Sequence, residues 1–306
     1  MNAWNHGEAI SFLANFSLDG LRMKRLTITS KSSRNIRPQP NLYLQAPKGN
    51  VKSSILEEIA AFSLSQVTTG ITYPALVGSV DKETKQTLPA VAWKCRDKPL
   101  LIDEWADNPG RVEVINALLQ ITEGGKYSRD ISRFMAPYEE KDGELYFRAK
   151  DGHISLRTRT SLILATMHNL LRSPNMGIQA LISRCIPYAF RLTKEEMRHI
   201  IEGEPFLKLR PKKKIKETAT IKRKDTARLL DYAEGAGETN YMRSFGDLAR
   251  CFAIYGWRPD YFDFILERQN FAEAELKRGQ EAWASRLENL NLSHRHEGRT
   301  DASQEV

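Results

Sequence analysis

Asn41-Leu-Tyr-Leu-Gln-Ala-Pro-Lys-Gly-Asn-Val-Lys-Ser-Ser54 runs from a short apolar stretch through a Pro/Gly turn into a segment with helical spacing. Residues 41–45 predict a buried strand, and Ile55, Leu56, Ile59, Ala60 and Phe62 group on one side of a helix over residues 53–64. A turn that leaves a strand and opens a helix aims backbone N–H groups and the helix N-terminus at one point, which suits a phosphate. Pro47, Lys48, Gly49, Asn50 and Val51 would form the cradle, Lys52 would supply a point charge, and Ser53, followed by Ser54, a hydroxyl for magnesium. Ala46 and Val51 stand where a phosphate loop usually has glycines. The competing reading of this stretch by itself is an ordinary strand-to-helix turn with an exposed lysine.

Further on, Leu100-Leu-Ile-Asp-Glu104 sets two carboxylates at the carboxyl end of a second buried strand, where open α/β sheets bind ligands. Asp103 would join a magnesium shell and Glu104 would polarise an attacking water, because phosphoryl transfer needs positioning and electrostatic support. Acidic residues also end structural strands or cap helices. Ser161-Leu-Ile-Leu-Ala-Thr-Met-His-Asn169 repeats the pattern, with an amide that can hydrogen-bond water and phosphate together or simply close a turn. Ala180-Leu-Ile-Ser-Arg184 ends a helix-like stretch with an arginine, either a surface ion-pair partner or an arginine finger for a neighbouring subunit.

Strands alternating with helices predict a parallel sheet covered on both faces, and the region after about residue 195 has helical periodicity without a convincing strand. The expected organisation is a lead-in over 1–38, an αβα core over 39–200 with hairpin inserts, a linker and helical lid over 201–286, and a disordered tail over 287–306. The polar segment 81–86 reads as a hairpin or interrupting loop. Lys150-Asp-Gly152, between Glu144-Leu-Tyr-Phe-Arg148 and His153-Ile-Ser-Leu-Arg157, is a hairpin turn signal.

The 306 residues carry a formal charge of +8 with 41% hydrophobic content, which favours an anionic partner such as DNA. Two basic runs, 22–37 and 210–224, hold much of that charge; by default such runs are solvated faces or linkers. Cys95, Cys185 and Cys251 lack zinc or disulfide spacing and read as buried thiols. No apolar run reaches membrane-span length and no signal-peptide order opens the chain, so the expectation is a cytoplasmic or nucleoid-associated protein without a membrane partner.

Taken in order, these motifs resemble the AAA+ ATPases, most closely the minichromosome-maintenance helicases, whose phosphate loop also takes a small side chain before the lysine. The likeness covers about residues 40–195 and extends through Thr69-Gly-Ile-Thr-Tyr-Pro-Ala-Leu-Val-Gly-Ser-Val-Asp81 and Leu88-Pro-Ala-Val-Ala92, which look like that family's helix-2 insert, to Ile102-Asp-Glu104, Arg157-Thr-Arg-Thr-Ser161, Asn169 and Leu181-Ile-Ser-Arg184. It implies a P-loop NTPase fold, a three-layer αβα core with a parallel sheet followed by a small helical lid, using ATP and Mg2+. Lys52, Ser53, Asp103, Glu104 and Asn169 would then serve one subunit's site while Arg184 reaches the next, which implies a homo-oligomer, a hexameric ring. Tyr241-Met-Arg-Ser-Phe-Gly-Asp-Leu-Ala-Arg250 is similar to the family's lid helix, making Arg243 a cis or trans contact to the γ-phosphate.

The chain departs from the pattern at Ala46 and at Val51, whose branched side chain stands where backbone must approach phosphate. Residues 128–159 are longer than the family's pre-sensor hairpin, leaving Arg133, Lys141, Arg148 and Lys150 as alternative nucleic-acid contacts. The stretch ahead of the phosphate loop is too short for the family's amino-terminal DNA-binding barrel. The expected activity is ATP hydrolysis by a motor acting on DNA, a helicase or translocase core; the alternative is an ATP-dependent assembly, loader or remodelling protein without helicase activity.

Overall fold

The computed structural model describes residues 4–29, 33–80, 87–88, 90–105, 112–130, 149–150, 153–211, 214–235 and 241–300. The chain begins with α1 (His6–Arg22), β1 (Arg25–Ile28) and β2 (Arg34–Ile36), then β3 (Asn41–Gln45) leads into α2 (Lys52–Ser63). There follow β4 (Val67–Thr69), α3 (Tyr73–Val77), β5 (Ser79–Val80), β6 (Thr87–Leu88), α4 (Val91–Lys94), β7 (Leu100–Asp103) and α5 (Val112–Gly124). Next come β8 (Lys126–Asp130), β9 (Ala149–Lys150), β10 (His153–Arg157), β11 (Leu162–Thr166), a 3-10 turn (Leu170–Arg172), α6 (Met176–Ile182) and β12 (Cys185–Ala189). The last elements are α7 (Lys194–Ile201), β13 (Thr218–Ile221), α8 (Arg223–Gly235), α9 (Tyr241–Tyr255) and α10 (Pro259–Thr300).

β7 and β11 are buried along their whole length, as strands covered on both faces must be. They belong to a five-stranded, all-parallel sheet of order β12-β3-β11-β7-β4. Leu42, Leu44, Leu101, Ile163 and Ala165 share one core with Ile55, Leu56 and Ile59 of α2. On the other face Tyr43, Leu100, Ile102, Leu162 and Leu164 pack with Val114, Ile115 and Leu118 of α5 and Ile178 and Leu181 of α6. The expected α/β architecture with helices on both sides of a parallel sheet is therefore present.

Three segments differ in content from the sequence reading. Residues 1–38 are not a mere lead-in: α1, capped by Asn5 accepting from the Glu8 N–H, buries Ile10, Phe12, Leu13 and Phe16 in the same core as the sheet. Phe12 lies 4.3 Å from Tyr261 and 5.6 Å from Phe264 between ring centroids, so the aromatic residues of the first helix are covered by those of the last. At Gly20 the helix meets Pro40 so closely that a Cβ would stand 2.7 Å from its ring.

The helical region past residue 195 contains a strand after all: β13 pairs in parallel with β1, and β2 completes that small sheet antiparallel. Phe245, Leu248, Phe262 and Ile265 of α9 and α10 lie in the core shared with α1 and β3. The segment from 287, composed like a disordered tail, continues α10 to Thr300, because a helix already anchored by its first turns extends at little further cost.

The expected hairpins form at β5 with β6, flanking 81–86, and at β9 with β10, where His153 faces Lys150. β10 also pairs with β8. The proposed strand 144–148 lies outside the described residues. Cys95, Cys185 and Cys251 are buried free thiols.

Candidate functional site

The loop after β3 starts from a fixed base: the Ala46 N–H donates to the Thr166 carbonyl (3.2 Å) and the Phe190 N–H to the Gln45 carbonyl (2.9 Å). Two residues with left-handed backbone then fold it back, Gly49 at φ 79° and Val51 at φ 43°. The first is a glycine, as that conformation requires; the second is β-branched. Buried Asn50 pins the loop, its carbonyl oxygen accepting from the Leu192 N–H (2.9 Å) and its amide donating to the Pro47 carbonyl (3.4 Å).

α2 therefore opens with no side-chain cap and no acid in its first turn. The first N–H groups of a helix have no partner within it, so this positive end is available to an anion from outside the chain. Lys52 Nζ lies across the loop, donating to the carbonyls of Ala46 (2.9 Å) and Pro47 (3.0 Å). Burial pulls its ammonium below the ordinary lysine value, while the charges of Asp103 and Glu104 pull it back up.

The two motifs meet. Ser53 Oγ donates to Asp103 Oδ2 at 2.5 Å, and Asp103 Oδ1 accepts from the Glu104 N–H at 2.9 Å. Asp103 is buried at the tip of β7, whereas Glu104 is exposed with φ 53°, a left-handed backbone that turns its side chain out of the strand line. Between β3 and β7 runs β11, whose Thr166 donates to the Trp105 carbonyl (2.6 Å) and accepts from the His168 N–H (3.1 Å). From β3 the chain leaves through α2 toward β4 at one margin of the sheet; from β11 it leaves through α6, on the opposite face, toward β12 at the other. The carboxyl ends of β3 and β11 thus flank a topological switch point, the position at which open α/β sheets bind ligands. Ser53 and Asp103 offer oxygen donors there, the type that suits a hard divalent cation.

The remaining predicted residues have other partners. Asn169 follows β11, but both ends of its amide are engaged: the carbonyl accepts from the Leu171 N–H (3.2 Å) and Nδ2 donates to Glu275 Oε2 (3.0 Å). Glu275, on α10, also receives Arg172 Nε (2.6 Å) and Arg278 Nη1 (2.7 Å). Arg184 precedes β12 and pairs with Glu123 (3.1 Å) at the amino edge of the sheet, since Cys185 is in register with Asn41 at the start of β3. Five residues of strand, roughly 16 Å, separate that edge from the phosphate loop. Arg243 is beside it, its guanidinium held below the usual arginine value by burial and by the charge of Arg184. Arg133, Lys141 and Arg148 lie outside the described residues, as does the side chain of Lys150, whose backbone is in β9.

Sequence reasoning missed Glu275, Asn50 as a loop staple, and Tyr43, whose hydroxyl donates to the His168 carbonyl (2.7 Å) and accepts from the Leu170 N–H (3.0 Å). None has a local signal, because each meets partners more than a hundred residues away. No protein-family model matches the chain, and no curated protein does.

Proposed function

We propose that this chain is an ATP-hydrolysing P-loop enzyme of the AAA+ type that acts on DNA as a ring. The observation that carries the reading is the 2.5 Å contact of Ser53 Oγ with Asp103 Oδ2, which unites the loop hydroxyl and the strand-end carboxylate as a shared magnesium shell demands. The uncapped positive end of α2 supports it, as does Lys52, already inside the loop.

In this reading the backbone N–H groups of Lys48, Gly49 and Val51 to Ser53 bind the β- and γ-phosphates, and Lys52 exchanges the Ala46 and Pro47 carbonyls for phosphate oxygens. Ser53 and Asp103 would hold Mg2+, which supplies neutralising charge for phosphoryl transfer. Glu104, exposed beside them, orients a water and accepts its proton.

The test is ATP turnover with Mg2+, with and without DNA. Lys52→Ala is expected to lose nucleotide binding, and Glu104→Gln to keep binding while turnover falls about 100-fold or more. Hydrolysis that survives Lys52→Ala sinks the proposal. Turnover indifferent to DNA removes the motor and leaves the second reading, an ATP-dependent assembly or loader protein. That reading is favoured by Asn169, whose amide is tied to Glu275 rather than free for a water.

A further inference from the structure

The two basic runs, 22–37 and 210–224, are brought together by the small sheet, in which β1 comes from the first and β13 from the second. Their rows alternate. Leu26, Ile28 and Ile221 face the core, whereas Arg25, Thr27, Asn35, Thr218 and Thr220 form the outer row, in which Arg25 Nε and Thr27 Oγ1 both donate to Asn35 Oδ1 at 3.0 Å. Exposed cations frame this row: Lys214 and Lys216 leading into β13, and Lys222 and Arg223 leaving it. Run 22–37 contains no acid, and the single acid of 208–224, Glu217, is already paired with Lys24 at 2.6 Å. Lys222, Arg223 and Lys224 crowd the start of α8, where the helix dipole disfavours cations and one acid, Asp225, stands in the first turn. A concentration of positive charge maintained against that dipole is suited to an external polyanion.

We infer that the outer face of the β13-β1-β2 sheet binds the phosphate backbone of duplex DNA without reading its sequence. Lys216 to Lys222 spans roughly 20 Å of strand, enough to follow several phosphates. The outer row has threonine, asparagine and arginine donors for phosphate oxygens and no aromatic ring, so it offers nothing on which unstacked bases of a single strand would stack. None of the exposed large apolar side chains among the described residues falls on this sheet, so a bilayer would find nothing to bury. The inference shares the DNA partner of the proposed function and is independent of its nucleotide chemistry, and this surface is separate from the hairpin 149–157.

The experiment is fluorescence anisotropy of a labelled mixed-sequence duplex with the full chain, without nucleotide, across a salt series. Combining Lys216→Ala, Lys222→Ala and Arg223→Ala is expected to weaken binding at least about tenfold and to flatten the log–log salt slope by about 2.7, at roughly 0.9 per lost phosphate contact. Glu217→Gln, which frees Lys24, should tighten binding. Lys52→Ala should bind as the wild type does, so failure of the ATPase reading is seen separately. Thermal melts confirm that these exposed changes leave the fold intact. The inference is overturned if the triple variant keeps wild-type affinity and slope, if a thymidine single strand binds as tightly as the duplex, or if phosphatidylserine vesicles bind through these residues and the duplex does not.

Discussion

Val51 at φ 43° and ψ 28° holds a β-branched side chain in the left-handed region, where an L-residue pays roughly 1–2 kcal/mol. Its neighbours impose this: the Val51 carbonyl accepts from the Ile55 N–H at 3.0 Å, and Asn50 is fastened to Leu192. Relief of the strain by Val51→Gly, which also opens the loop to closer phosphate approach, should raise ATP affinity several-fold in a fluorescent-nucleotide titration. Because glycine also gains unfolded-state entropy, the melting temperature should move little. Glu275 is the second decisive residue. The Arg172 hydrogen bond holds its carboxyl below the ordinary glutamate range, despite burial. A depressed carboxylate value contributes stability that is present above the unfolded value and lost as pH falls through the folded one. Glu275→Gln should therefore cost about 1.5–3 kcal/mol near pH 7. In urea melts that difference should close as the buffer is acidified below the ordinary glutamate value of about 4.3.

Among the elements, α1 and α10 carry consequences beyond their own lengths. α1 contributes Phe12 and Phe16 to a ring cluster completed by Tyr255 and Tyr261, and Ser17 Oγ donates to Ser161 Oγ (2.8 Å) just ahead of β11. Phe16→Ala is expected to destabilise the chain by about 3–5 kcal/mol, measured by chemical denaturation, where a removable leader would show almost nothing. α10, 42 residues and so about 63 Å long, runs against the 3-10 turn at Gly279, where a Cβ would come within 2.9 Å of the Arg172 Cα. Glu275 lies one turn before that contact, so the helix both crosses the turn after β11 and holds the Asn169 amide.

For the whole molecule, the parallel sheet separates two sets of polar groups: Lys52, Ser53, Asp103 and Glu104 at its carboxyl edge, and Arg184, Arg243 and Glu123 at its amino edge. In the proposed ring the arginine edge of one copy serves the phosphate edge of the next. Lys52→Ala and Arg184→Ala chains should each be inactive alone, yet their mixture should recover ATP hydrolysis, since one supplies an intact loop and the other an intact arginine. A mixture as inactive as its components would place the whole site within one chain.

The sequence by itself determined the local parts of this protein. Continuous apolar runs marked β3, β7 and β11, a Pro/Gly turn before an amphipathic run marked the loop and α2, and an acidic pair closed a strand; all are legible because neighbouring residues carry the signal. Short elements such as β1 and β13, four residues each, offer too little alternation to stand out, and the stretch that forms α1 reads only as part of a lead-in because nothing along the chain says what would cover it. The tertiary structure alone decided that β11 lies between the loop strand and the acidic strand, that Ser53 reaches Asp103, that Glu275 takes the Asn169 amide, and that two distant basic runs become one face. Periodicity fixes which side of an element is buried; its partner is fixed only when the elements pack, and contacts across a hundred residues leave no periodic trace along the chain.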